Sequence, residues 1–140
     1  KQDRGKQSRK HGQFANGWYC QPTLVVDLPY QHRLWNHEMF LPIASIGIVH
    51  DLEDAIRHAN EVDYGLTAGF FGNEEESRRF FDEIESGVAY ANRPQGATTG
   101  AWPGFQPFGG WKASGSSGKN SGGRYYLPLY MHEQIQTTVK

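Results

Sequence analysis

The sequence contains a single cysteine, Cys20, among its 140 residues. One thiol excludes an internal disulfide framework and any zinc site built from several cysteines. Sparse cysteine is typical of a reducing compartment, so the composition predicts a cytoplasmic protein. No activating base lies near Cys20 in the sequence, and it is therefore not predicted to be a nucleophile.

Long hydrophobic runs are also missing. No stretch approaches the roughly 18 apolar residues that a membrane span needs, and the opening KQDRGKQSRK lacks the apolar core of a signal peptide. The 14 basic and 15 acidic residues nearly cancel, so neither nucleic acid nor a membrane surface is an expected partner. The mean hydropathy of -0.68 is polar for a chain that closes its own core, which favours part of a longer chain.

Acidic residues are absent between Glu85 and Glu133. Nine of the 17 glycines lie in residues 96–123, together with two tryptophans and two phenylalanines. Glycine lets a ligand approach the main chain closely, and a region without acids favours anions. This segment is predicted to be an anion-binding loop, with a solvated loop over packed aromatics as the alternative. The lysines and arginines between Glu85 and Glu133 are Arg93, Lys112, Lys119 and Arg124.

The common phosphate and metal motifs do not occur. A P-loop fails because Ala113 stands at the first glycine position and Asn120 replaces the hydroxyl residue that binds magnesium. No G-x-G-x-x-G fingerprint lies between a strand and a helix. The spacing of His32 and His37, with Glu38 beside them, places the two imidazoles on neither one helical face nor one strand face, so no metal site is predicted.

Strand and helix patterns alternate along the chain. After a polar connector over residues 1–17, this alternation predicts an α/β fold with a parallel sheet, whose ligands bind at the carboxyl ends of the strands. The glycine-rich loop follows the last of these strands. Residues 133–140 alternate apolar and polar side chains, and the segment 128–140 is predicted to be a strand that needs a partner. The predicted strands begin at Thr23 and cover 43–49, 66–71 and 88–91, and the predicted helices cover 51–62 and begin at the cap Asn73.

Several motifs resemble one enzyme family along nearly the whole chain. In order these are GWYCQPTLV, the E-x-F segment at 38–40, DLEDAIRHANEVDYGL, ESGVAYAN, PFGGWKASG and EQIQTTV. By these motifs residues 18–127 resemble the C-terminal part of an aldehyde dehydrogenase catalytic domain, and residues 128–140 resemble its oligomerisation strand. The resemblance implies that Glu38 binds the nicotinamide-ribose hydroxyls of NAD, with NADP not excluded, and that Phe40 packs beside them. Leu41 stands where the family usually has glycine, which places the local turn in question.

The segment TGAWPGFQPFGG followed by SG-x-x-x-K is similar to the 1-pyrroline-5-carboxylate (glutamate semialdehyde) dehydrogenases within that family. The resemblance implies that the main-chain amides of Gly100 and Ala101 hold the substrate's α-carboxylate. It also implies that Phe108 forms an aromatic wall of the aldehyde tunnel. Backbone N–H groups that converge on a carboxylate form an anion nest, which agrees with the acid-free surroundings.

The family's cysteine nucleophile, its general-base glutamate and its cofactor domain have no counterpart in these 140 residues. The resemblance therefore implies that the chain is inactive alone and works with the missing N-terminal cofactor domain on a small aldehyde. It also implies a homo-oligomer joined through residues 128–140. The alternative is a standalone, non-enzymatic module derived from this fold that binds an anion or a partner.

Overall fold

The computed structural model describes residues 17–94 and 105–140, which divide into two compact units. The first unit ends at Val49 and the second begins at His50. The length alone suggests one domain, so this division is a finding that the sequence did not predict. The connector predicted over residues 1–17 lies, apart from Gly17, outside the described residues.

The first unit holds a short parallel pair of strands. Strand β1, Thr23–Val25, pairs with β2, Ile43–Ser45, with Thr23 opposite Ile43. The strand predicted over 43–49 is shorter than expected, because its partner β1 ends at Val25. The last hydrogen bond between the two strands runs from Ile46 N to Val25 O at 2.9 Å. The apolar run at 43–49 predicts a strand buried on both faces, which is wrong within this chain, since Ile48 is 88% exposed.

The second unit contains the predicted βαβ arrangement. Its elements are α1, Leu52–Asn60; β3, Tyr64–Gly65; β4, Thr67–Phe70; α2, Glu74–Glu83; β5, Val88–Ala91; and β6, Trp111–Lys112. Strands β4 and β5 pair in parallel, with Thr67 opposite Val88, and helix α2 connects them as the crossover. The sequence Asp63-Tyr64-Gly65 predicts only a turn that ends the first helix, but Tyr64 and Gly65 form β3, which pairs antiparallel with β6.

Helix α2 begins at the cap that the sequence predicts. The Asn73 side chain accepts from Glu76 N at 2.9 Å, and the Glu76 carboxylate accepts from Asn73 N at 3.1 Å, which completes a capping box. The acidic first turn at Glu74, Glu75 and Glu76 suits the positive end of the helix dipole. This N-terminus is therefore fixed by local chemistry.

We expect Asn73→Ala to lower the free energy of unfolding by about 1 kcal/mol, the usual cost of losing a helix cap. Asn73→Ser, which keeps an oxygen acceptor, should cost clearly less. Urea unfolding of the full-length protein, followed by circular dichroism, measures both. Equal stabilities for the alanine and serine variants would show that the cap contributes nothing here.

Helix α1 has a related but incomplete cap. Asp51 accepts from Asp54 N at 2.8 Å, as predicted, whereas the Asp54 carboxylate accepts from His50 N at 3.5 Å and does not return to Asp51 N. A hydrogen bond from Arg57 lowers the pKa of Asp54 and draws its carboxylate along the helix. The helix ends at Asn60, before the predicted residue 62.

The core of the second unit lies where α1 and α2 meet the parallel strands. Ile56, Phe80 and Ile84 are buried, with Phe70 stacked on Phe80 at 5.2 Å between ring centroids. The sequence predicts an apolar stripe on α2 formed by Phe80, Phe81 and Ile84, which is correct for Phe80 and Ile84. It is wrong for Phe81, which is 48% exposed.

The end of the chain carries many exposed apolar side chains. A short 3-10 helix covers Leu127–Tyr130, and residues 131–140 form neither helix nor strand. Ile135 is 95% exposed and Val139 is 91% exposed. The oligomerisation strand proposed for 128–140 stays a prediction, since its pairing partner would come from another copy. None of the helices found in residues 17–94 and 105–140 has the length and apolar character that crossing a membrane requires.

Candidate functional site

Glu38 follows a short 3-10 helix in the first unit that hydrogen bonds and an aromatic stack stabilise. The 3-10 helix Arg33–Trp35 is capped by His32, whose ring nitrogen accepts from Leu34 N at 3.2 Å. Trp35 stacks on Tyr30 at 5.6 Å between ring centroids and donates from its indole N–H to Pro29 O at 3.1 Å. Glu38 itself is exposed, and within the described part of the chain no hydrogen bond or salt bridge involves its carboxylate. Its acceptor oxygens are open to a ligand.

Phe40 stands out by its backbone conformation. Its φ of 50° lies in the left-handed region, and its side chain is 89% exposed. A bulky residue in this region costs roughly 1–3 kcal/mol and commonly marks a functional constraint. The left-handed position falls on Phe40 and not on Leu41, so a leucine at the family's glycine position is compatible with this turn.

Phe108, in the second unit, is held by an isolated antiparallel bridge. Its N–H donates to Ser121 O at 3.0 Å, and Ser121 N donates back to Phe108 O at 2.8 Å. The neighbouring Asn120 donates from its side-chain amide to Gly87 O at 3.3 Å. The main chain on both sides of Phe108 is therefore fixed to the rest of the unit, and the ring is half-buried.

The glycines around Phe108 make room for other backbone atoms. A Cβ at Gly87 would lie 2.0 Å from Gly109 O, and a Cβ at Gly115 would lie 1.9 Å from Gly110 O. Real Cβ atoms essentially never approach that closely, so these positions accept only glycine without movement of the main chain. The glycine-rich composition predicted the close approach of a ligand. At Gly109, Gly110 and Gly115 the structure shows contacts within the protein instead.

A surface groove of about 390 Å³ borders this region. It has two cationic side chains, Lys119 and Arg124, and the Lys119 ammonium lies 5.3 Å from the centroid of the Tyr125 ring. None of the described residues that line it is acidic, which agrees with the predicted preference for anions. The residues that line the groove are Pro107, Gly118, Lys119, Asn120, Gly123, Arg124 and Tyr125.

The predicted site residues fall in three places. Glu38 and Phe40 belong to the first unit and Phe108 belongs to the second. Gly100 and Ala101 lie in residues 95–104, outside the described residues. Cys20 is exposed, with its thiol 3.5 Å from Gln21 O, whereas a cysteine without a catalytic role is usually a small core residue. In residues 17–94 and 105–140 no group of three metal-ligating side chains occurs.

Sequence reasoning does not single out Gly87 or Ser121, which contact the Phe108 segment. In the sequence Gly87 indicates only the end of a helix, and its contact with Gly109 joins residues 22 positions apart. No local sequence pattern indicates a contact between residues this far apart. The available signal is the dense PFGGWKASG motif, which indicates that this segment is constrained without showing by what.

Comparison with known proteins places these features in a family. Residues 3–135 match the model of the aldehyde dehydrogenase family. Proteins named 1-pyrroline-5-carboxylate dehydrogenase from Bacillus thuringiensis (strain Al Hakam) and Bacillus anthracis (strain A0248) are each 37% identical over 128 residues, which is 91% of this chain. The chain spans 24% of the length of these relatives.

Solved structures give the same result. The 1-pyrroline-5-carboxylate dehydrogenase from Thermus with bound NAD is 35% identical and superposes with a TM-score of 0.74, covering 88% of this chain and 23% of that one. Proline utilization A from Bdellovibrio bacteriovorus is 37% identical with a TM-score of 0.70, covering 79% of this chain and 11% of that one. The family model alone matches nearly the whole sequence, and the chain therefore belongs to the aldehyde dehydrogenase family.

Proposed function

We propose that this chain supplies the C-terminal part of the catalytic domain of an NAD-dependent enzyme that oxidises L-glutamate γ-semialdehyde to glutamate. This aldehyde is the open-chain form of 1-pyrroline-5-carboxylate, so the reaction belongs to proline breakdown. The observation that carries the proposal is 37% identity over 91% of the chain to proteins named 1-pyrroline-5-carboxylate dehydrogenase. The whole protein is proposed to be a homo-oligomer joined through residues 128–140.

The residues present suit the nicotinamide ribose of NAD. Glu38 offers an open carboxylate, which can accept hydrogen bonds from two neighbouring hydroxyls. Phe40 offers an exposed ring two residues further on, and its left-handed backbone fixes the direction in which the side chain leaves the turn. Bound NAD would supply the hydride acceptor that oxidation of an aldehyde requires. In this proposal Glu38 and Phe40 orient the ribose, and the nucleophile and base come from other parts of the protein.

Substrate recognition is assigned to the second unit. The main-chain amides of Gly100 and Ala101 would bind the α-carboxylate, and Phe108 would pack against the carbon chain of the aldehyde. The fixed main chain of Phe108 supports this role, since a tunnel wall must keep its place while substrates pass. The nearby cationic groove favours an anionic substrate over a neutral one.

We expect Glu38→Ala in the full-length protein to slow hydride transfer about ten- to a hundredfold. Lost hydrogen bonds from two ribose hydroxyls to a carboxylate should cost roughly 1.5–3 kcal/mol, most of it in the reactive pose of the nicotinamide ring. Single-turnover formation of NADH, followed by absorbance, measures this step separately from NAD affinity.

The matched control is Glu75→Ala, which removes an exposed carboxylate from the start of α2. It should leave the single-turnover rate unchanged. A single-turnover rate of Glu38→Ala equal to that of the wild type would show that Glu38 does not bind the ribose hydroxyls.

A further inference from the structure

We infer that Lys112 is a positioning residue for Phe108, holding the segment that carries the ring. The inference rests on the proposed role of Phe108 in the aldehyde tunnel. Lys112 itself is directed away from solvent, with 23% of its side chain exposed. It therefore acts on the reaction only through the segment it anchors.

All three N–H donors of the Lys112 ammonium have acceptors. The Nζ atom donates to Asn60 O at 2.6 Å and to Val62 O at 3.2 Å, and it forms a salt bridge with Glu85 at 2.6 Å. An ammonium has three donors and no acceptor, so this set satisfies it completely.

The acceptors lie where the ends of two helices meet. Asn60 is the last residue of α1, and the final carbonyls of a helix lack partners within it and attract a cation. The Asn60 side chain also donates to Glu83 O at 2.8 Å and accepts from Glu85 N at 2.9 Å, which joins the end of α1 to the end of α2. Lys112 thus ties β6 to a junction that both helices stabilise.

The backbone at Lys112 carries its own constraint. Its φ of 51° is left-handed, a conformation that non-glycine residues keep only when their surroundings enforce it. On the following residues, Ala113 N donates to Asp63 O at 3.0 Å, and the Ser114 hydroxyl oxygen accepts from Gly65 N at 3.1 Å. These contacts hold the main chain in the conformation that directs the Lys112 side chain into the junction.

Phe108 is separated from this anchor by Gly109, Gly110 and Trp111. Two consecutive glycines restrict the main chain little by themselves, so the place of Phe108 is set at its two sides. One side is the bridge to Ser121, and the other is the β3–β6 pair with the Lys112 contacts. Loss of the Lys112 charge would leave two carbonyls and Glu85 without this donor and release one side.

The test is a double-mutant cycle in the full-length protein, with Lys112→Met, Phe108→Ala and both together. Methionine matches the four-atom unbranched stem of lysine and lacks its ammonium group. We expect Lys112→Met alone to lower kcat/KM for the aldehyde by roughly tenfold or more, as displaced positioning groups do. In the Phe108→Ala background the same change should have less than a twofold effect, on the order of experimental additivity.

Asn73→Ala is the control for a merely structural effect. It weakens the first turn of α2, at the end of the helix away from the Lys112 junction, and its effect on kcat/KM should be the same in the wild-type and in the Phe108→Ala background. Equal effects of Lys112→Met in both backgrounds would overturn the inference. If Lys112→Met does not fold, Glu85→Gln replaces it in the cycle and removes only the ion-pair partner.

A second readout does not depend on activity. Fluorophenylalanine placed at position 108 reports the surroundings of the ring by fluorine NMR. Lys112→Met should shift or broaden this signal, whereas Asn73→Ala should leave it in place. An unchanged signal in Lys112→Met overturns the inference. The cycle is run with whichever aldehyde the enzyme oxidises best, so failure of the glutamate semialdehyde assignment and failure of this inference are distinguishable.

Discussion

Replacing Gly87 by alanine is expected to lower the free energy of unfolding by roughly 3 kcal/mol or more, the upper range for overpacking. The new Cβ would lie 2.0 Å from Gly109 O and 2.7 Å from its carbonyl carbon. Both atoms are backbone, so no side-chain rotation relieves the clash. Either β5 or the Phe108 segment must move. Urea unfolding of the full-length protein measures the loss, which is large against a typical stability of about 5–15 kcal/mol.

Gly118→Asn is the control for this substitution. Gly118 has a φ of 64°, and a Cβ there would meet nothing within 4 Å. Asparagine tolerates the left-handed region, so its cost should stay below about 1 kcal/mol. A Gly87→Ala protein as stable as Gly118→Asn would show that the packing of the glycines around Phe108 is looser than described.

Gly100→Pro is expected to remove the enzyme's preference for an aldehyde that carries an α-carboxylate. Proline has no N–H, so one of the two proposed main-chain donors is lost, and its ring fixes φ near about −65°. Two charge-assisted hydrogen bonds in a partly dry tunnel supply roughly 3–5 kcal/mol, a factor of several hundred or more in kcat/KM. The activity on glutamate semialdehyde should therefore fall steeply.

Pentanal, an uncharged aldehyde of similar length, serves as the internal control. It makes no use of the carboxylate nest, so Gly100→Pro should leave its kcat/KM comparatively intact. An equal fall in kcat/KM for both aldehydes would mean that the substitution disturbs the site in general and that the Gly100 amide does not bind the carboxylate.

The sequence predicts most reliably where local chemistry decides the structure. Helix α2 starts at Asn73 because a side-chain acceptor and a glutamate three residues later satisfy its free N–H groups. The predicted strands on either side of it agree with the structure, with ends within one residue for β4 and with the correct ends for β5. The family was confirmed by the comparisons, because its motifs are spread over nearly the whole chain.

Pairings between distant short segments could not be predicted. Strands β3 and β6 have two residues each, and the turn expected at 63–65 gives no sign of a partner at Lys112. The contacts of Lys112 with Asn60 and Val62 could not be predicted either, because they join residues some 50 positions apart. In the first unit the apolar run at 43–49 indicated a longer strand, but strand length depends on the partner, and β1 is short.

The most direct test of the proposed function is kcat/KM of the full-length wild-type protein, with NAD, for L-glutamate γ-semialdehyde and for pentanal. We expect a preference for the semialdehyde of several hundredfold or more, since only that substrate carries the carboxylate that the main-chain amides would bind. Equal values, or a preference for pentanal, would contradict the glutamate semialdehyde assignment and leave only membership of the aldehyde dehydrogenase family.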